Sequence, residues 1–215
     1  METDRKKIEL AQWLLDPDKT RQLPDDLGLL EKKMGELGLD KIYREIELPL
    51  APILEEMHKI GIKVDVSVLE KLSRELGKEI VELEKKIYKA AGLSFNLNSP
   101  QQLSEMLFEK LKVDPRGIPK RKTGSYATDA ETLLKIRGRH PVVDFILRYR
   151  ELFKIQSTYV EPLKELAARD SQRRIHTEFL QTGTATGRLA SQNPNLQNIP
   201  IISEWGKKLR EAFVV

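Results

Sequence analysis

Between Asp65 and Gly92 the chain carries leucine or isoleucine at 69, 72, 76, 80, 83 and 87, with Ala90 next in the series. Steps of three and four residues put these side chains on one stripe of an α-helix. The spacing predicts a helix over Val66–Ala91, with Asp65 capping its start and Gly92 its end. A stripe of this length has to be covered by something. A second copy of the chain would serve, as in a coiled coil. So would the segment Pro141–Leu166, where Val142, Ile146, Phe153, Val160 and Leu163 offer apolar positions. The second pairing makes the chain mainly α, built on a long antiparallel helix pair. Pro162 is expected to bend the second helix near its end.

The flanking segments read as shorter pieces. Ile8–Leu15 suits an amphipathic helix stopped by Asp16-Pro17, and Leu23–Leu39 suits short helices and turns around Pro24. Lys41–Ile60 is a helix that Pro49 and Pro52 should bend or cut short, with Gly61 just past its end. After Ala168 the pattern changes. Arg174–Thr182 alternates, with Ile175, Thr177, Phe179 and Gln181 facing one way, which predicts a strand and a small β portion.

Composition narrows the function classes. With no cysteine, disulfides and thiolate metal sites are excluded, which fits a reducing cytoplasm. His58, His140 and His176 lack metal-ligand spacing and read as structural or surface residues, so no metal site is expected. No apolar run reaches membrane-spanning length, and Met1 opens no signal-peptide pattern, so no membrane partner is expected. Charged residues make up 33% of the chain and the net charge is +4. That balance fits a nucleic-acid partner and fits a plain soluble helical protein equally.

Between the two long helices lie candidate contacts for such a partner. Ser99-Pro100-Gln101-Gln102 and Thr128-Asp129-Ala130-Glu131 have capping-box form. Asn96, Asn98 and Ser99 could meet a phosphate at a helix start or simply cap it, and the two readings balance. Lys110–Gly124 holds six basic residues and one acid, with Pro115, Gly117, Pro119 and Gly124 keeping it irregular. This predicts a mobile basic tip, with Lys120, Arg121, Lys122 and Thr123 as its candidates. Arg150, Lys154 and Ser157, with Thr158 beside them, fall on one helix face that could track phosphates or merely face water.

The densest polar constellation is Thr184–Pro200, TATGRLASQNPNLQNIP. Gly187 permits a tight turn or close approach to a ligand. Arg188 presents a planar fork of donors, and Asn193, Asn195, Gln197 and Asn198 carry donors and acceptors suited to sugars and base edges. Asn-Pro-Asn is also a turn signal, which explains Pro194 but not the amides clustered around an arginine.

TATGRL followed by PNLQNIP resembles the opening signature of the bacterial DNA polymerase I family, the family A polymerases. FNLNS at 95–99, YRE at 149–151, Lys154, STY at 157–159 and KLREAFV at 208–214 continue that resemblance over about residues 42–215. Ala190 stands where a serine is usual. The resemblance implies a remnant of an exonuclease-like region over 1–40, a helical thumb over 41–170 and the start of a palm over 171–215. It implies a primer–template DNA partner within a DNA-directed DNA polymerase, a nucleotidyltransferase. Arg188, with Thr186 and Gly187, would reach the minor groove near the primer terminus, and Asn195, Gln197 and Asn198 would support sugars and phosphates beside it.

The family's metal-holding aspartates and nucleotide-binding helix have no counterpart in this sequence. Residues 1–40 lack the D-x-E pair of an exonuclease metal site. The resemblance therefore implies no catalytic residue in this chain, magnesium only for a complete polymerase, and a palm-and-fingers partner. A palm sheet completed elsewhere is expected to leave the C-terminal third less protected than the helices. The alternative reading is a stand-alone DNA-binding or structural helical module.

Overall fold

The computed structural model describes residues 2–214. Helices α1 (Glu2–Leu15), α2 (Leu27–Glu36), α3 (Asp40–Ile42) and α4 (Leu48–Ile60) lead into the two-residue strand β1 (Ile62–Lys63). The long helix α5 (Val66–Ala91) is followed by α6 (Pro100–Ser104), α7 (Ala130–Lys135), α8 (Pro141–Ile155) and α9 (Glu161–Arg169). Strands β2 (Arg174–Ile175), β3 (Glu178–Leu180) and β4 (Ala190–Gln192) precede α10 (Glu204–Arg210). The fold is mainly α with two small antiparallel sheets, β1–β2 and β3–β4, as expected.

Caps set the helix starts. Asp65 Oδ1 accepts from the amides of Ser67 at 2.9 Å and Val68 at 3.4 Å, and Gly92 ends α5 at φ 72°. Asp129 and Ser203 hold the first turns of α7 and α10 in the same way. The Ser99 box differs from the simple form. Ser99 Oγ accepts from the Gln102 amide, but the Gln102 side chain reaches back to the Asn96 amide at 2.8 Å.

The prolines do not interrupt the helical path. Neither Pro49 nor Pro52 cuts its helix, and Pro162 lies inside a continuous run from α8 to α9. A π turn precedes each run: Tyr43–Glu47 before Pro49 and Gln156–Val160 before Pro162. A proline ring clashes with the carbonyl four residues back and cannot donate to it. Those carbonyls, on Glu45 and Thr158, belong to the widened turns, where bonding runs five residues apart. A third π turn spans Glu105–Lys110.

The chain forms two compact units. One comprises Asp65–Glu165 and Ile202–Ala212. Its core is the α5–α8 pair, with Leu69, Leu72, Leu76, Ile80, Leu83 and Ile87 buried against Val142, Ile146 and Leu152. Ala90 is exposed, so the stripe ends at Ile87. The pairing is antiparallel: Lys86 lies over the Phe145 ring, Arg148 Nε donates to Glu79 at 2.7 Å, and Ser73 Oγ donates to Glu161 at 2.5 Å. Burying each leucine contributes about 1.5–3 kcal/mol. Helix α10 adds Trp205 and Leu209 to this core, and Lys208 Nζ sits 4.5 Å from the Trp205 ring centre.

The other unit comprises residues up to Val64, Leu166–Ile201 and Phe213 onward. Leu10, Ala11, Leu30, Met34 and Tyr43 form its buried cluster. The strand expected over Arg174–Thr182 is split in two. Ile175, Thr177 and Gln181 are buried, as the alternation requires, while Phe179 is half-buried. The break falls at His176-Thr177, where side chains replace ladder partners. His58 Nδ1 meets the Thr177 carbonyl at 3.1 Å, and His176 Nδ1 meets the His58 carbonyl at 2.8 Å. Both acceptors are carbonyls, so both Nδ1 atoms carry the proton. Gly61 has φ 68°, and a Cβ there would stand 2.8 Å from the His176 ring. At the C-terminal end Phe213 bridges Val64 and the Val214 amide donates to Lys63, while Ile201 and Ile202 are exposed.

Candidate nucleic-acid interface

The TATGR segment is a turn fixed by its own side chains. Thr184 Oγ1 donates to the Arg188 carbonyl at 2.7 Å, and the Thr184 and Thr186 hydroxyls lie 3.3 Å apart. Gly187 sits at φ 77°, in the left-handed region that favours glycine, with open space where a Cβ would be. Arg188 is exposed, and its guanidinium makes no hydrogen bond or ion pair among the described residues. The bond between Asn193 and Pro194 is cis.

The amides beside it shape the loop. Asn195 Oδ1 accepts from the Gln197 amide at 3.0 Å and the Asn198 amide at 3.3 Å, an Asx-type turn. Gln197 Nε2 donates to the Leu189 carbonyl at 2.9 Å. Buried Thr177 donates its hydroxyl to the carbonyls of Gln192 and Pro194. Three further side chains grip the strand entering the turn. Gln181 Nε2 donates to Glu47, Thr182 Oγ1 donates to Glu9 at 2.6 Å, and Trp13 Nε1 donates to the Thr184 carbonyl at 2.9 Å. Sequence reasoning missed Glu9, Trp13 and Glu47. They stand 134 to 173 residues from their partners, and no local pattern marks such a pairing.

The remaining candidates belong to the other unit. The Lys110–Gly124 segment is irregular over 111–119, as expected, and its end closes into a small hairpin over 120–126. Lys120 bridges Tyr126, the Arg121 amide donates to Ser125 at 2.7 Å, and the Gly124 amide returns to Arg121. Ile118 and Val113 are buried beneath it, and Lys120 Nζ lies 5.1 Å from the Tyr126 ring centre. Lys120, Arg121, Lys122 and Thr123 are all exposed. Thr123 and Ser125 share a hydroxyl contact at 3.0 Å.

The second helix face is not uniform. The Lys154 and Thr158 side chains are exposed and make no hydrogen bond among the described residues. Ser157 Oγ donates to the Phe153 carbonyl at 2.7 Å. Arg150 is half-buried and donates to the carbonyl of buried Thr128, tying α8 to the start of α7. Burial pushes its guanidinium pKa down, against the pull of Asp129. Asn96, Asn98 and Ser99 each have a local role. Asn96 Oδ1 accepts from the Asn98 amide, Asn98 Nδ2 donates to Tyr149 at 3.3 Å, and Ser99 caps α6.

Comparison with known proteins shows the family. Residues 66–215 match the family model for DNA polymerase family A. DNA polymerase I of Synechocystis is 49% identical over 186 residues, covering 86% of this chain and 19% of that protein. The Bacillus subtilis DNA polymerase I is 49% identical over 193 residues, with 87% and 21% covered. The thermostable DNA polymerase I of Thermus aquaticus is 46% identical over 206 residues, with 95% and 24% covered. Among solved structures, the POL domain of Pol1 from M. smegmatis, in complex with DNA primer-template and dNTP, superimposes with a TM-score of 0.81. It is 34% identical, and the match covers 97% of this chain and 41% of that one. The chain thus spans about a fifth of the length of the curated relatives it matches. With 150 of its residues under the family model and identity near one half to full-length relatives, this chain belongs to DNA polymerase family A.

Proposed function

We propose that this chain holds the primer–template duplex within a DNA-directed DNA polymerase, a nucleotidyltransferase. The observation that carries the reading is Arg188: an exposed guanidinium with no protein partner among the described residues, on a turn whose neighbouring polar groups are engaged. A planar donor fork held this way suits the minor groove, where acceptor positions are shared among base pairs and duplex shape is sensed without sequence. Asn195 and Gln197 keep the adjoining loop in shape. Lys120, Arg121, Lys122 and Lys154 contact the phosphate backbone. The solved relative that bears primer-template supports the partner class.

Metal chemistry belongs to the rest of the polymerase. The family's metal-holding aspartates have no counterpart in this sequence, so on this reading no residue of this chain holds the magnesium. On this reading the chain does not extend primers by itself, and extension returns when a polypeptide bearing the remaining palm and fingers is added.

Fluorescence-anisotropy titration against primer–template duplex and single-stranded DNA, at several salt concentrations, tests the proposal. Duplex preference with a steep salt dependence is expected, and equal, weak binding to both would overturn it. In a complete polymerase, Arg188→Ala should slow extension while bulk DNA affinity changes little. Unchanged extension would remove Arg188 from the reading.

A further inference from the structure

Helix α1 lies in the segment that the family resemblance marks as a remnant. Its contacts point to a job. Glu9 and Trp13 are four residues apart, so they share one face of α1. Glu9 accepts from Thr182 Oγ1 at 2.6 Å, and Trp13 Nε1 donates to the Thr184 carbonyl at 2.9 Å. Trp13 is 6% exposed, so its indole N–H has that carbonyl and almost no water. Thr184 is also the residue whose hydroxyl closes the turn onto the Arg188 carbonyl at 2.7 Å. A chain of two bonds therefore runs from the Trp13 indole through Thr184 to the Arg188 backbone. Gly187, with φ 77° and nothing around it, contributes no packing that could hold Arg188 instead.

We infer that α1 is a strut for the Arg188 turn and that Trp13 is a positioning residue for duplex recognition. The inference rests on the reading of Arg188 given above. Within it, Trp13 touches no DNA; it fixes where Thr184 sits, and Thr184 fixes where the arginine leaves the backbone. A displaced positioning contact costs recognition without costing charge.

Trp13→Phe keeps the ring and deletes the N–H. Amide exchange of the purified chain reads the brace, and exchange at residues 185–189 should speed about fivefold while α5 is unaffected. A duplex with 2-aminopurine at the primer 3′ terminus reads the consequence. Trp13→Phe should weaken the terminus-dependent signal about fivefold, Arg188→Ala should weaken it at least as much, and the double variant should match Arg188→Ala alone. Unchanged exchange at 185–189 would refute the brace. Fully additive effects would show that Trp13 acts elsewhere. Faster exchange together with an Arg188→Ala that leaves the signal intact would sink the reading of Arg188 and leave the strut standing. If Trp13→Phe does not fold, Thr182→Val removes the companion bond and must show the same exchange pattern for the strut to survive.

Discussion

The salt dependence of DNA binding separates the cations that face solvent from those the fold has already engaged. Lys120, Arg121, Lys122 and Lys154 are exposed, whereas Arg150 is half-buried and tied to the Thr128 carbonyl. Each phosphate neutralised on duplex DNA contributes about −0.9 to the slope of log K against log salt, so four give about −3.6. Between 50 and 200 mM salt, affinity should then fall roughly 150-fold. Glutamine at 120, 121 and 122 preserves the backbone bonds of the hairpin and leaves Lys154 alone, so the slope should drop to about −0.9 and the loss to roughly threefold. Arg188 adds little to the slope if it lies in the minor groove. Anisotropy titrations at five or more salt concentrations measure all of this directly. A triple variant that keeps the parental slope would refute the assignment of the hairpin to phosphate.

Three further expectations follow from particular contacts. Leu76→Ala removes a fully buried side chain from the α5–α8 seam and should cost roughly 2–5 kcal/mol in urea unfolding monitored on that unit; a loss under about 1 kcal/mol would mean the seam is loosely packed. Arg150→Gln should lower stability by about 1–2 kcal/mol and leave the salt slope untouched, and a slope decrease near 0.9 would instead restore a phosphate contact. In acid, Asp65 is held below the ordinary carboxylate range by the Ser67 hydroxyl and amide, Asp129 by the Thr132 amide and hydroxyl, and Asp170 chiefly by the Arg174 amide. Below the unfolded value of about 3.9 the unfolded chain takes up more protons than the folded one. Stability is therefore complete above about pH 5 and declines as pH falls through the lowered folded values, and Asp→Asn at these three sites should flatten that decline in pH-dependent denaturation.

Much of the helical frame was legible because α5 repeats one stripe six times over, and a stripe of that length admits few partners. Asp65, Ser99, Gly61 and Gly92 were readable for a local reason: caps and left-handed positions act within a turn of themselves. The box at Thr128–Glu131 was one residue off, because Asp129 caps α7 while Thr128 is buried against the Pro100 carbonyl. That Pro49 and Pro162 leave their helices uncut was not legible, because proline breaks a helix that keeps four-residue bonding, and the π turns at Tyr43–Glu47 and Gln156–Val160 suspend that rule just upstream. The strand over 174–182 was legible as alternation but not as two pieces, since His58 interrupts it from 118 and 119 residues away in sequence, at His176 and Thr177. Arg150 shows the limit on the site. Its spacing with Lys154 and Ser157 is that of an exposed face, and only packing reveals that it faces the Thr128 carbonyl.

The route of the chain also bears on its synthesis. The α5–α8 pair is complete once residue 155 has left the ribosome, and its contacts close within one stretch of sequence. The indole of Trp13 meets the Thr184 carbonyl across 171 residues. At about 5–20 residues per second, α1 therefore waits roughly ten to thirty seconds for the segment it grips. During that interval Leu10 and Ala11 can bury against Leu30, Met34 and Tyr43, but the Trp13 N–H has only solvent and the Glu9 carboxylate only its neighbour Lys6. A nascent chain paused before residue 182 would thus carry a finished helix pair while its arginine turn was still unmade, and slow codons placed there would lengthen the exposure of that first helix in particular.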